Sequence, residues 1–229
     1  MRKRLAVALV LLALTLAVVG CATPQASTAP PVAEEKASFD AVTLYEKAAS
    51  ATWTVLVNTV DGWWAKGSGF SVRKPTQVLT AYHVVKDYKE FRLVDWTGYV
   101  TYTAKVVRFD KDADVALLEI TDGPKLTAYL TLADNRPKVG EEVALISSPI
   151  TNPEKAMGFI PSVLTTGRVA KYSNNYLVTE AFATHGSSGG AVIDNQGNVA
   201  GLEVALTGVE SGFTLAVPAS VLVSFLAGK

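Results

Sequence analysis

The run Thr184-His185-Gly186-Ser187-Ser188-Gly189-Gly190 decides the reading of this chain. A serine hydroxyl barely attacks a carbonyl until a nearby imidazole takes its proton. The imidazole in turn needs a carboxylate to fix its tautomer and stabilise its charged form. Both partner types stand upstream. His83 lies in Leu79-Thr80-Ala81-Tyr82-His83-Val84-Val85, and Asp114 in Asp112-Ala113-Asp114-Val115-Ala116-Leu117. The glycines beside Ser188 let the backbone turn sharply, so that amide N–H groups can point at a developing oxyanion. Three short segments, in the order His, Asp, Ser, supply the parts of an acyl-transfer site: Ser188 as nucleophile, His83 as general base and Asp114 as its orienter.

Asp110 and Asp112 compete with Asp114 for that last role. Asp114 abuts the apolar run Val115-Ala116-Leu117-Leu118, where a buried carboxylate needs a partner such as imidazole. Gly186-Ser187-Ser188-Gly189-Gly190 also satisfies the GxSxG elbow of α/β-hydrolases, but that fold places its histidine after the serine. The chain has two histidines, His83 and His185, and neither follows Ser188. The alternation of strands and long helices that a parallel sheet demands is missing too. His185 reads either as a residue lining the cleft or as an exposed loop residue. No histidines or carboxylates show metal-ligand spacing, so neither metal nor cofactor is expected.

Strand signals dominate from Thr52 onward. Thr52–Thr59, Gly67–Val72, Gln77–Thr80, Glu90–Val94, Tyr99–Phe109 and Val115–Ile120 are rich in β-branched and aromatic residues. Asp61-Gly62, Lys74-Pro75 and Asp122-Gly123-Pro124 read as turns between them. A second set follows: Glu142–Ile146, Val163–Tyr172, Asn175–Thr179, Ala191–Asp194, Asn198–Leu206 and Gly212–Val217, with Asn195-Gln196-Gly197 as a hairpin turn. Asp40 can cap a short helix over Ala41–Ala49, with Val42, Tyr45 and Ala49 on one face. Pro218 starts a helix to Ala227. Two sets of about six short strands fit an all-β chain of two antiparallel barrels, about 50–136 and 137–217. His83 and Asp114 fall in the first and Ser188 in the second, which puts the site between barrels. No internal repeat is legible in the residues.

These segments resemble the trypsin-like serine proteases. GSSGG is similar to their GxSGG nucleophile loop, TAYHVV to their histidine segment and DADVALLEI to their aspartate strand. Gly67-Ser68-Gly69-Phe70 matches the GSGF before the histidine strand. Thr179-Glu180-Ala181-Phe182, Gly201-Leu202 and Gly212-Phe213-Thr214-Leu215-Ala216-Val217-Pro218 resemble the bacterial HtrA/Deg branch, and the likeness covers roughly residues 50 to 220. The resemblance implies two Greek-key barrels. It also implies oxyanion donors at the backbone N–H groups of Gly186 and Ser188, and a primary substrate pocket with Phe182 at its base. Phe182 offers no charge for Lys or Arg, and its ring is expected to narrow the pocket to small or medium apolar side chains. Glu203 and Glu180 are the acids that can add charge nearby. Two departures stand out. Ser187 replaces the aspartate that in digestive enzymes pairs with a newly cut N-terminus, and the asparagine usual in HtrA proteins. The chain also stops about a dozen residues after the second barrel, so a PDZ module is not expected.

The start of the chain reads as a targeting segment. Met1-Arg2-Lys3-Arg4 is basic, Leu5 to Gly20 is apolar, and Val18-Val19-Gly20-Cys21 resembles a bacterial lipobox. A run of this length suits a signal-peptide core rather than a bilayer span. Residues 1–20 are therefore expected to be removed, and Cys21, the single cysteine, to carry lipid. Residues 21–39, rich in Ala, Pro, Ser and Thr, read as an extended tether to a domain over 40–229. Removal takes three basic residues and leaves 18 basic against 21 acidic, a formal charge near −3. No basic stripe points to nucleic acid. The expected function is an endopeptidase acting on exported or envelope proteins, lipid-anchored to a bacterial membrane and facing the periplasm or exterior. The alternatives are a catalytically silent peptide-binding protein on the same fold and an esterase using the same triad. The residues leave the oligomeric state open.

Overall fold

The computed structural model describes residues 39–122, 128–152, 154–155, 157–206 and 212–228. Residues 1–38, with the basic start, the apolar run, Cys21 and the tether, lie outside these, as does the Gly123-Pro124 part of one expected turn.

The first barrel comprises β1 (Thr52–Thr59), β2 (Gly62–Val72), β3 (Lys74–Ala81), β4 (Phe91–Val94), β5 (Thr101–Asp110) and β6 (Val115–Ile120). The second comprises β7 (Glu142–Ser147), β8 (Val163–Tyr172), β9 (Leu177–Thr179), β10 (Ala191–Ile193), β11 (Val199–Leu206) and β12 (Thr214–Pro218). Strand order in the first is β1-β2-β3-β6-β5-β4, closed by β4 on β1; in the second it is β7-β8-β9-β12-β11-β10, closed by β10 on β7. All pairings between these strands are antiparallel. The second order is the first repeated, strand for strand, although no repeat is legible in the residues. Closure leaves no open sheet edge, which is how a chain with so many short strands avoids edge pairing.

Burial follows position. Thr101–Asp110 alternates over its first residues, since one face meets the barrel interior and the other solvent. Val115–Ile120 is buried almost throughout. Its far side is covered, and its apolar residues join a core that runs on through Ile146, Ile193 and Leu202 of the second barrel to Leu222 and Phe225. A second core of Val143, Leu145, Val169, Leu177 and Val192 fills the second barrel.

Among the described residues, three α-helices complete the fold. Asp40 caps α1 (Ala41–Ala48), accepting from the amides of Val42 and Thr43. Its buried face is Leu44 and Ala48, whereas Val42 is 68% exposed, so the expected apolar face is rotated. Leu44 wins because it reaches the common core. The helix α2 (Tyr82–Val85), absent from the sequence reading, interrupts the strand pattern at His83. Pro218 closes β12 with extended backbone and precedes α3 (Ala219–Ala227) rather than beginning it. Lys74-Pro75 lies within β3; the reversal falls one residue earlier, at Arg73 with φ +64°.

Candidate active site

Each supporting element has a local cause. α2 follows β3 directly, and the Tyr82 ring stacks on Phe109 of β5 with centroids 4.8 Å apart. The Tyr82 amide donates to the Asp114 carbonyl at 3.1 Å. His83 is thereby set against the β5–β6 turn. Asp114 has φ +55°, a left-handed conformation that aspartate tolerates better than most side chains. Its Oδ2 lies 2.7 Å from His83 Nδ1, and its Oδ1 accepts the His83 backbone amide at 2.8 Å. One carboxylate thus holds both the ring and the chain of His83. The rivals are occupied or remote. Asp110 accepts the amides of Asp112 and Ala113 within the turn, and Asp112 is exposed.

The serine arrives from the other barrel. The loop after β9 and before β10 bears Ser188, and Ser68 of β2 clamps it. The Ser68 amide donates to the Ser188 carbonyl at 2.8 Å, and the Ser68 hydroxyl to the Gly186 carbonyl at 2.6 Å. The same hydroxyl accepts the Ser148 amide at 2.7 Å. Gly67 sits between the two halves: a Cβ there would lie 2.6 Å from Val84 Cγ2 and 2.8 Å from the Ser188 carbonyl. The histidine helix and the serine loop approach each other because that position has no side chain.

The amides of Gly186 and Ser188 stay free. The Ser187 amide bonds Thr184, Gly189 bonds Glu203 and Gly190 bonds Ser187. Among the described residues, the N–H groups of Gly186 and Ser188 donate to nothing. Ser187, 2% exposed, uses its hydroxyl to accept the Thr184 amide and a bond from Ser147. It braces the loop from within, by neutral hydrogen bonds where a charged residue would need an ionic partner.

Behind Ser188 lies Glu203, 1% exposed. Burial pushes its carboxyl up to about 8; a hydrogen bond with the Ser188 side chain opposes that shift and the nearby charge of Asp114 adds to it. Its Oε2 is buried without a hydrogen-bond partner. Among the described residues no hydrogen bond joins the Ser188 hydroxyl to His83. The expected site residues fare unevenly. Phe182 is 68% exposed, so its ring is not packed inside a pocket and does not narrow one. Its carbonyl is fixed by the Thr165 hydroxyl while the ring stands out from the barrel. Glu180 is exposed, and its place beside the sequence motif does not bring it to Ser188's buried side. His185 is exposed and borders a cavity of about 320 Å³ with Trp64, Lys66, Ile150, Lys155 and Gly186. Ser68, Ser148 and Ile150 were missed as supports. The GSGF run contains Ser68, but only three-dimensional contact shows what its hydroxyl holds.

The profile of the trypsin-like peptidase domain matches residues 67–202, more than half of the chain. This chain belongs to the trypsin-like peptidase family. Within the family it is similar to serine protease HTRA1B of Danio rerio, 33% identical over 170 residues, covering 71% of this chain and 34% of that protein. It is also similar to a probable periplasmic serine endoprotease DegP-like of Rhizobium meliloti, 30% identical over 161 residues, covering 69% of this chain and 32% of that protein. The peptidase-family chain spans about a third of the length of the relatives it matches. A crystal structure of the serine endoprotease from Yersinia pestis shares the fold, with TM-score 0.71 and 21% identity over 84% of this chain and 67% of that one.

Proposed function

We propose that this protein is a serine endopeptidase working through an acyl-enzyme. The observation that bears most weight is the double grip of Asp114 on His83, ring and backbone at 2.7 and 2.8 Å, set against a loop whose Gly186 and Ser188 amides are uncommitted. In this reading Asp114 accepts a hydrogen bond from Nδ1–H, which leaves Nε2 to take the Ser188 proton as Oγ bonds to the substrate carbonyl carbon. The carbonyl oxygen becomes an oxyanion held by the two free amides. His83 returns the proton to the leaving amine, and water repeats the sequence to release the acid and restore Ser188. No metal or cofactor enters these steps.

The DegP-like relative is named periplasmic, which supports exported or envelope proteins as substrates. With the basic start, apolar run and Cys21, it supports a lipid-anchored enzyme in a bacterial envelope. One observation favours a second reading. Among the described residues no hydrogen bond joins the Ser188 hydroxyl to His83, the arrangement expected of a silent peptide-binding protein. Labelling with a fluorophosphonate separates the two. The enzyme forms a covalent adduct at Ser188, and Ser188→Ala forms none while melting at a similar temperature. A wild-type protein that takes no label, or a Ser188→Ala variant that still cleaves casein, refutes the peptidase.

A further inference from the structure

We infer that the cavity between β2 and the Ser188 loop is a subsite for an acidic side chain, the first or second residue after the cut in a protein substrate, and that Lys66 and Lys155 determine this preference. The inference rests on the peptidase reading above.

The cavity, of about 320 Å³, adjoins the reacting centre. Gly186, which carries one of the two free amides, lines it. Lys66 lines it too, next in the chain to Gly67, where a Cβ would lie 2.8 Å from the Ser188 carbonyl. The backbone of β2 sets Lys66 apart. Val55 pairs with Gly67 and Leu56 with Ala65, so Lys66 is the extra residue of a β-bulge. Ala65 and Gly67 are buried, and Lys66 between them is exposed. A bulge re-aims the side chain it carries. Opposite the strand, the Ile150 amide holds the His185 carbonyl at 2.8 Å, which fixes the loop that gives the cavity His185 and Gly186.

The lining is rich in donors. Among the described residues it presents two ammonium groups, Lys66 and Lys155, the His185 imidazole and the Trp64 indole, and no carboxylate. Neither lysine is in an ion pair among the described residues. Lys66 Nζ lies 6.0 Å from the centre of the Tyr88 ring, a contact that leaves its N–H donors uncommitted. The Trp64 indole N–H is buried with no acceptor. The acids nearest in the chain do not compensate. Asp87 and Glu154 are exposed, and Glu90 accepts from the Asn58 side-chain amide at 2.7 Å. Two unpaired ammonium groups on one small cavity repel each other, and a carboxylate entering it attracts both. A substrate lysine or arginine would meet only repulsion there.

The side of the cut follows from His83. The leaving amine must come within reach of His83, which returns its proton. Lys66 stands beside the helix that carries His83. Its ammonium is over Tyr88, whose amide bonds the Val85 carbonyl at the end of α2, and a Cβ at Gly67 would lie 2.6 Å from Val84 Cγ2. The segment that departs with the amine therefore passes the cavity. An extended chain advances about 3.3 Å per residue, so the side chain that meets Lys66 and Lys155 belongs to the first or second residue of that segment.

The test uses peptide pairs built on a sequence that the full chain cuts in casein. Members of a pair differ only in Glu or Gln at the first, or at the second, residue after the cut. Values of kcat/KM are measured at low salt for the wild type and for Lys66→Gln/Lys155→Gln, and the Glu-to-Gln ratio within each protein is read. Exposed ion pairs are individually weak, so the expected wild-type ratio is about fivefold at one of the two positions, falling below about twofold in the double variant. The wild-type ratio should also approach one in about 1 M salt, where the screening length is about 3 Å. A wild-type ratio below about twofold at both positions, a preference for acid only before the cut, or an unchanged ratio in the folded double variant overturns the inference. If the double variant does not fold, the salt series decides, and a ratio that persists in high salt overturns the inference. A wild type that cuts neither casein nor any peptide instead removes the peptidase reading itself, and the inference with it.

Discussion

The Ile150 amide donates to the His185 carbonyl at 2.8 Å. The peptide between His185 and Gly186 is trans, so holding its carbonyl toward Ile150 turns the Gly186 N–H to the opposite side. One hydrogen bond thereby sets the direction of one of the two free amides beside Ser188.

Gly186→Ala is expected to disturb that amide. Gly186 has φ +89°, and a Cβ there would lie 2.7 Å from the Ile150 backbone nitrogen and 2.9 Å from the Ser148 carbonyl. Backbone atoms cannot rotate away, so the loop must shift. Loss of one oxyanion donor costs about 10²- to 10³-fold in kcat. Steady-state kinetics on a peptide substrate should show kcat falling by that order, with KM changed far less; an unchanged kcat removes Gly186 from the reaction.

Glu203 should also make folding sensitive to alkali. Its carboxyl titrates at about 8 in the folded protein against 4.5 ordinarily, so the folded state holds the proton more tightly. That contribution to stability is fully present below pH 4.5 and is lost as pH rises through 8. Its size is on the order of 5 kcal/mol at most. Urea unfolding at pH 6 and pH 9 should show a loss of stability in the wild type that Glu203→Gln lacks. Parallel losses in the two proteins would place the alkaline sensitivity elsewhere.

Cleavage is expected after uncharged residues rather than Lys or Arg. Phe182 stands exposed and uncharged, and Glu203 holds its proton at neutral pH. A substrate ammonium would be desolvated without an ionic partner, which is costly. A peptide-library profile at pH 7 should be dominated by uncharged residues before the cut. Dominant cleavage after Lys or Arg would mean that substrate binding ionises Glu203.

Cys21 is expected at the mature N-terminus, carrying acyl chains. The Val18-Val19-Gly20-Cys21 run and the apolar stretch before it motivate this. Two or more chains anchor stably where one is marginal. Intact-mass analysis of membrane-extracted protein should give a chain beginning at acylated Cys21; an unmodified chain beginning elsewhere contradicts it.

Much of the fold was legible residue by residue. Thr52–Thr59, Val115–Ile120 and Val163–Tyr172 are strands over the bounds that their β-branched residues suggested, because local preference and barrel position agree there. The pairing of His83 with Asp114 was legible as well, since the motifs around them are short and continuous. The matching strand order of the two barrels was not, because a shared order is a pattern of pairings between distant segments, and different residues can satisfy the same pairing.

The sequence by itself determined which residues could do the chemistry: one serine in a glycine-rich loop, one histidine with a suitable setting, one aspartate before an apolar strand. Tertiary structure alone decided who holds whom. Asp114, not Asp110, faces His83, because the turn amides occupy Asp110. Glu203 sits behind Ser188 while Glu180 and Phe182 are exposed, although Glu180 and Phe182 lie nearer to Ser188 in the chain. The reason is closure: wrapping β9 through β12 into a barrel brings β11 against the Ser188 loop and turns the residues just before that loop outward, an outcome set by hydrogen-bonded register across the sheet.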